Sequence, residues 1–139
     1  MVQGVLVIAT ACSQLITWIP GDWQTGPGYA IKTGGGYAHD LHGRPVVLSR
    51  SAACSLARLM LASQGAVKGH HIHSSQRTKT WNDSVQGAYD SKHLTGDAID
   101  IHHGSRRWML SRAGDVAKLY GWRLITYGGH GGHFEFHPP

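Results

Sequence analysis

A chain of 139 residues, 41% hydrophobic and 15% charged, is long enough for one core of ordinary size and leaves no room for a second domain. Its net charge of +5, with eleven histidines that add more positive charge below neutrality, favours polyanions. Charge alone does not choose between nucleic acid, the anionic polymers of a bacterial wall, and a basic face that only keeps the protein soluble.

In chain order, Val2 to Pro20 is apolar enough to raise a signal peptide, with Ala9-Thr10-Ala11-Cys12 resembling a processing site, but it has no basic flank. Its apolar run is too short to span a membrane, and Val5 to Ile8 with Leu15-Ile16 reads better as one or two strands. Cys12 and Cys54 are the only cysteines and form no Cys-x-x-Cys motif; they allow at most one disulfide, and free or partly buried thiols are expected. Residues 21–45, with Gly26-Pro27-Gly28 and Gly34-Gly35-Gly36, read as a long loop of the kind that serves as a docking arm or lid. Val46 to Leu48 leads to Ser49 or Ser51 as the cap of a helix over 51–64, with Ala53, Leu56, Leu59 and Met60 on one face and Gly65 after it. Gly69 to His73 reads as a turn and a strand whose histidines fit no helix-face metal pair. A second helix is predicted over 105–120, with Trp108, Met109, Val116, Ala117 and Tyr120 inward, Arg106, Arg107, Arg112 and Lys118 outward, and Gly121 as its stop. Trp122 to Tyr127 is then a strand. Mixed helices and short strands predict an α+β fold with an antiparallel sheet and flanking helices.

Two stretches carry chemistry. In Ser91-Lys92-His93-Leu94-Thr95-Gly96-Asp97-Ala98-Ile99-Asp100-Ile101, a histidine and a carboxylate stand seven residues apart across a turn-to-strand junction. Strand alternation puts Asp100 and His102 opposite the core-facing Ile99 and Ile101, and a carboxylate on an apolar strand needs a partner or a metal. His102 is either a support for that site or a solvent-facing residue at the strand end. The second stretch, Tyr127-Gly128-Gly129-His130-Gly131-Gly132-His133-Phe134-Glu135-Phe136-His137, alternates Phe134 and Phe136 against His133, Glu135 and His137. Two imidazoles and one carboxylate with a fourth position left open describe a catalytic zinc site. Taken singly, the tail also reads as an adventitious metal-binding tract and Asp100 as a turn residue.

Together, Ile72-His73-Ser74-Ser75-Gln76-Arg77-Thr78, Asn82, Val85-Gln86-Gly87-Ala88, the Ser-x-His-x-x-Gly-x-Ala-x-Asp element of residues 91–100 and the late His133-Phe134-Glu135 resemble the zinc D-Ala-D-Ala carboxypeptidases. That family includes phage L-alanyl-D-glutamate endopeptidases and shares its fold with the Hedgehog signalling domain. The resemblance covers residues 46–137 as a peptidase core and leaves 1–45 as an N-terminal extension of one domain, 1–139. It implies zinc held by His93, Asp100 and His133, and a peptidase acting on the stem peptides of bacterial peptidoglycan, at either the L-Ala-D-Glu or a D-Ala bond. It also implies a phage-encoded lysin working at the cell wall, held in the host cytoplasm before release or carried in the virion. Arg77 matches the arginine that holds a substrate carboxylate, with Ser75 and Gln76 beside it in the substrate-binding segment; Gln76 replaces the usual aromatic residue. His130 stands where the phage endopeptidases have an aspartate, and other branches of the family place a histidine shortly before the last ligand. His130 is therefore favoured as catalytic base over Glu135, the only glutamate of the chain.

Two other classes compete. One is an inactive zinc-bearing relative serving as a wall-binding or virion module. The other is a His-His metal nuclease suggested by Asp100-Ile101-His102-His103; it needs an asparagine downstream, and the only asparagine, Asn82, lies upstream. No nucleic acid is therefore expected as a partner, no membrane span is expected, and oligomeric state is left open.

Overall fold

A computed structural model describes residues 10–111, 115–125 and 132–139. The expected strand over Val5 to Ile8, and Arg112, Thr126, Tyr127 and His130, lie outside the described residues. The short helix α1 (Cys12–Leu15) runs straight into β1 (Ile16–Ile19). Strand β2 (Gly28–Thr33) pairs antiparallel with β1, and β3 (Gly36–Tyr37) folds back on β2.

This hairpin corrects the reading of residues 21–45 as loop. Thr33 pairs with Gly36 across the two-residue turn Gly34-Gly35. Ala30 and Ile31 are both buried, so β2 lacks the inside-outside alternation that marks a half-exposed strand.

Helix α2 (Arg50–Ala62) is capped by the Ser49 side chain, which accepts from the Ala52 amide. Its buried face, Ala52, Ala53, Leu56, Ala57 and Leu59, packs against β1 and β2 on one side and reaches Ile72, Ile99, Ile101, Trp122 and Phe134 on the other, so one core joins the two sheets. Leu56 and Leu59 are fully buried, and cutting either to alanine costs about 2–5 kcal/mol.

Cys12 and Cys54 form a disulfide with their Cα atoms 5.4 Å apart, contrary to the expectation of free thiols. Two cysteines 42 positions apart carry no pairing signal in sequence; packing of α1 on α2 brings them together.

The second sheet has the order β4-β5-β7-β6, all antiparallel: β4 (Ile72–Ser74), β5 (Ala98–Ile101), β7 (His133–Phe136) and β6 (Trp122–Leu124). Between β4 and β5 lie α3 (Lys79–Ser84), capped by Thr78, and a 3₁₀ turn over Lys92–Thr95. The helix expected over 105–120 is instead two: α4 (His103–Leu110) ends at Ser111, which is extended and whose hydroxyl donates to the Trp108 carbonyl, and α5 (Asp115–Leu119) follows. Ser105, expected at the helix start, is fully buried inside the first turn, tied to the Lys68 amide, the Ala66 carbonyl and His71 Nδ1. Among the described residues no helix is long and apolar enough to cross a membrane. Helices segregated from antiparallel sheets make this an α+β fold.

Candidate metal centre

The site is assembled from three backbone devices. Ser91 accepts from the His93 amide and opens the 3₁₀ turn that carries His93 inward. Gly96 closes that turn at φ +76°, and its carbonyl accepts from the Ser49 amide. A Cβ at position 96 would lie 2.4 Å from the Ser49 nitrogen, so only glycine fits. The chain then enters β5, where Ile99 and Ile101 are wholly buried and Asp100 turns the other way. Across the ladder, Asp100 stands directly opposite His133 of β7.

One ligand atom from each of His93, Asp100 and His133 lies within 4.8 Å of the other two. His93 is fully buried, and its Nδ1 lies 2.6 Å from the carbonyl of Ser75. A carbonyl only accepts, so the proton sits on Nδ1 and Nε2 carries the lone pair. That Nε2 has no hydrogen-bond partner, yet it lies 3.2 Å from Asp100 Oδ2. Two acceptors facing each other in a buried place call for a cation between them. His133 Nδ1 meets Asp100 Oδ1 at 2.9 Å while its Nε2 meets Glu135 Oε2 at 3.1 Å. This is the arrangement in which one imidazole nitrogen serves a metal and the other is held by a carboxylate.

Without a cation the charges that matter are those of Asp100 and His133. Burial alone would raise the Asp100 carboxyl, but the hydrogen bond from His133 and the adjacent His93 outweigh it and hold it well below the ordinary carboxylate range. Burial likewise opposes charge on His133, yet its contacts with Asp100 and Glu135 prevail and raise its pKa above the usual histidine value. The donor set of two imidazoles and one carboxylate, with an orphaned buried nitrogen aimed at the carboxylate, fits zinc.

Arg77 reaches this centre directly. Its Nη2 donates to Asp100 Oδ2 at 3.1 Å, Nη1 to Asn82 Oδ1 at 3.2 Å, and Nε to Ser74 Oγ at 3.0 Å. Arg77 and Asn82 line a cleft of about 640 Å³ together with Gln76, Lys79 and Tyr89. Gln76 shows the cleft only part of itself, because its side-chain amide donates to the carbonyls of Thr25 and Pro27 and so pins the 21–28 segment as the cleft's wall. Ser75 is only 3% exposed, and its hydroxyl accepts from the Val47 amide. Its carbonyl is the group that faces His93 Nδ1.

Glu135 and His137 lie on one face with His133, as the alternation requires; Glu135 Oε1 is 3.4 Å from His137 Nε2. His102 is half-buried and packs edge-on against His73, with ring centroids 5.4 Å apart. Asn82 is the residue that sequence reasoning undervalued. It is 1% exposed, donates to the Ala88 carbonyl at 2.9 Å and forms the floor beneath Arg77. Gly87 permits this, since a Cβ there would come within 2.0 Å of Asn82 Oδ1. The spacing from Asn82 to Gly87 was the available signal.

No curated protein and no solved structure matches the chain. The family described as Peptidase M15 matches residues 49–133, more than half of the chain, from the cap of α2 to the last of the three clustered ligands. With that match over the residues that build the site, the chain belongs to the peptidase M15 family, a family of the zinc D-Ala-D-Ala carboxypeptidase type.

Proposed function

We propose that this peptidase is zinc-dependent and hydrolyses the stem peptides of bacterial peptidoglycan. The observation that carries the reading is the buried His93 Nε2, partnerless and directed at a carboxylate that His133 also meets. Zinc held there by His93, Asp100 and His133 supplies a Lewis acid that polarises a peptide carbonyl and acidifies water.

The chain's own residues supply the rest. Ser75 fixes the His93 tautomer, Glu135 fixes His133, and Arg77 holds the Asp100 carboxylate in register. The substrate peptide lies in the cleft beside Arg77 and Gln76, where the positive charge of Arg77 draws a carboxylate of the stem peptide. Glu135 is engaged on both oxygens by His133 and His137, which suits orientation better than proton transfer. His130, outside the described residues, is the proposed base. The basic chain suits an anionic wall, and the Cys12–Cys54 disulfide suits work outside a reducing cytoplasm. A phage lysin acting at the wall, free or virion-borne, accommodates both. Digestion of purified sacculi tests the reading: new peptide ends that disappear with a chelator support it. Zinc-loaded protein that releases nothing favours an inactive wall-binding or virion module.

A further inference from the structure

Among the described residues outside the peptidase centre, a histidine pair stands on the outer face of β4. His42 Nε2 and His73 Nε2 lie 3.2 Å apart although the residues are 31 positions apart in sequence, and both side chains are exposed. We propose that His42 and His73 form a second metal site, a two-imidazole clamp for a divalent transition ion such as zinc.

The pair is built rather than accidental. The loop bearing His42 is wound around the buried Asp40, whose Oδ1 accepts from the amides of His42 and Arg44 at 2.8 and 3.0 Å. Two bonds then fasten this loop to β4: the Leu41 amide donates to the Ile72 carbonyl at 2.8 Å, and Arg44 Nη2 donates to the carbonyl of His73 itself at 2.7 Å. His73 sits between Ile72 and Ser74, which pair with Ile101 and Asp100 of β5 on either side of a register shift. Both backbones are therefore set before any ion arrives, which lowers the entropy cost of binding.

Nitrogens held at about 2.0–2.1 Å by one tetrahedral ion stand about 3.3–3.4 Å apart, close to the separation seen. Imidazole nitrogens select zinc, copper and nickel over calcium and magnesium. The nearby guanidinium of Arg44 is offset by Asp40 at 2.9 Å. His102 packs edge-on against His73 with ring centroids 5.4 Å apart, and water would complete the shell. The ion would clip the 39–45 loop to β4.

Zinc alone is the probe, in a calorimetric titration of chelator-stripped protein with zinc counted by native mass spectrometry. Wild type takes two equivalents, one tight and one weaker. His42→Ala and His73→Ala each lose the weaker and keep the tight one; His93→Ala keeps only the weaker, so failure of the peptidase centre is told apart from failure of the clamp. Both histidines are exposed, so their loss leaves the fold intact, which circular dichroism checks. Wild type taking a single equivalent that His93→Ala abolishes would overturn the proposal. Retention of both equivalents by His42→Ala and His73→Ala would overturn it too, leaving a simple imidazole hydrogen bond.

Discussion

Arg77 Nη2 lies 3.1 Å from Asp100 Oδ2, an ion pair that leads from the cleft to the candidate metal centre, with both side chains mostly covered. The arginine therefore acts on the carboxylate that would hold the metal, and its fork also ties Ser74 and Asn82 to that centre. Arg77→Ala should lower zinc affinity about 10–100-fold, as loss of a residue supporting a ligand does. Arg77→Lys should recover part of the affinity but not the simultaneous hold on Ser74, Asn82 and Asp100. A rise in KM with zinc content unchanged would assign Arg77 to substrate alone.

His93→Ala and His133→Ala should each remove tightly held zinc, measured by metal analysis after dialysis. Full retention in both would place the metal elsewhere. Glu135→Gln should keep zinc with affinity reduced about 10–100-fold, because it weakens the hold on His133 Nε2 without removing a ligand.

Proton transfer separates His130 from Glu135. His130→Ala should be folded, zinc-loaded and slower by about 10²–10⁴-fold in kcat. Wild-type activity in that variant together with a dead Glu135→Ala would make Glu135 the base.

Acidity should act on the metal-free protein through two groups. The folded pKa of His133 is raised above 6.5, so its stabilisation is complete below that value and is lost as pH rises through the folded pKa. The folded pKa of Asp100 is lowered from 3.8, so its stabilisation is present above 3.8 and is lost as pH falls further. Melting of chelated protein should therefore peak between roughly pH 4 and 6.5. Zinc loading should instead strengthen as pH rises, since the ion displaces the His133 proton. A chelated protein whose melting temperature climbs steadily from pH 5 to 9 would contradict the pairing of Asp100 with His133.

Reduction of the Cys12–Cys54 bridge should cost about 2–4 kcal/mol, because it releases a long loop in the unfolded chain. Thermal melts with and without reductant should differ by roughly 6–20 °C. No shift would mean that α1 is held by packing alone.

What could be read in the sequence was whatever local chemistry dictates. Ser91, Gly96, Ile99 and Ile101 each answer a backbone or burial need within ten residues, so the turn and strand presenting His93 and Asp100 were legible. The β7 alternation was legible for the same reason. The hairpin at Gly34-Gly35 was hidden by flanking glycines and by a strand that buries adjacent residues. The break after Leu110 interrupts a continuous helical pattern at a serine that is extended in the fold. The Arg77–Asp100 pair and the disulfide join positions 23 and 42 residues apart, and only the packed core decides such contacts.

The most direct measurement is a mass spectrum of the muropeptides released from purified sacculi by zinc-loaded protein, beside the same protein chelated and beside His93→Ala. The account predicts stem peptides cut at one defined bond by the zinc-loaded protein, and uncut sacculi in the other two. Uncut sacculi in all three, with one equivalent of zinc bound to wild type at His93, Asp100 and His133, would contradict it.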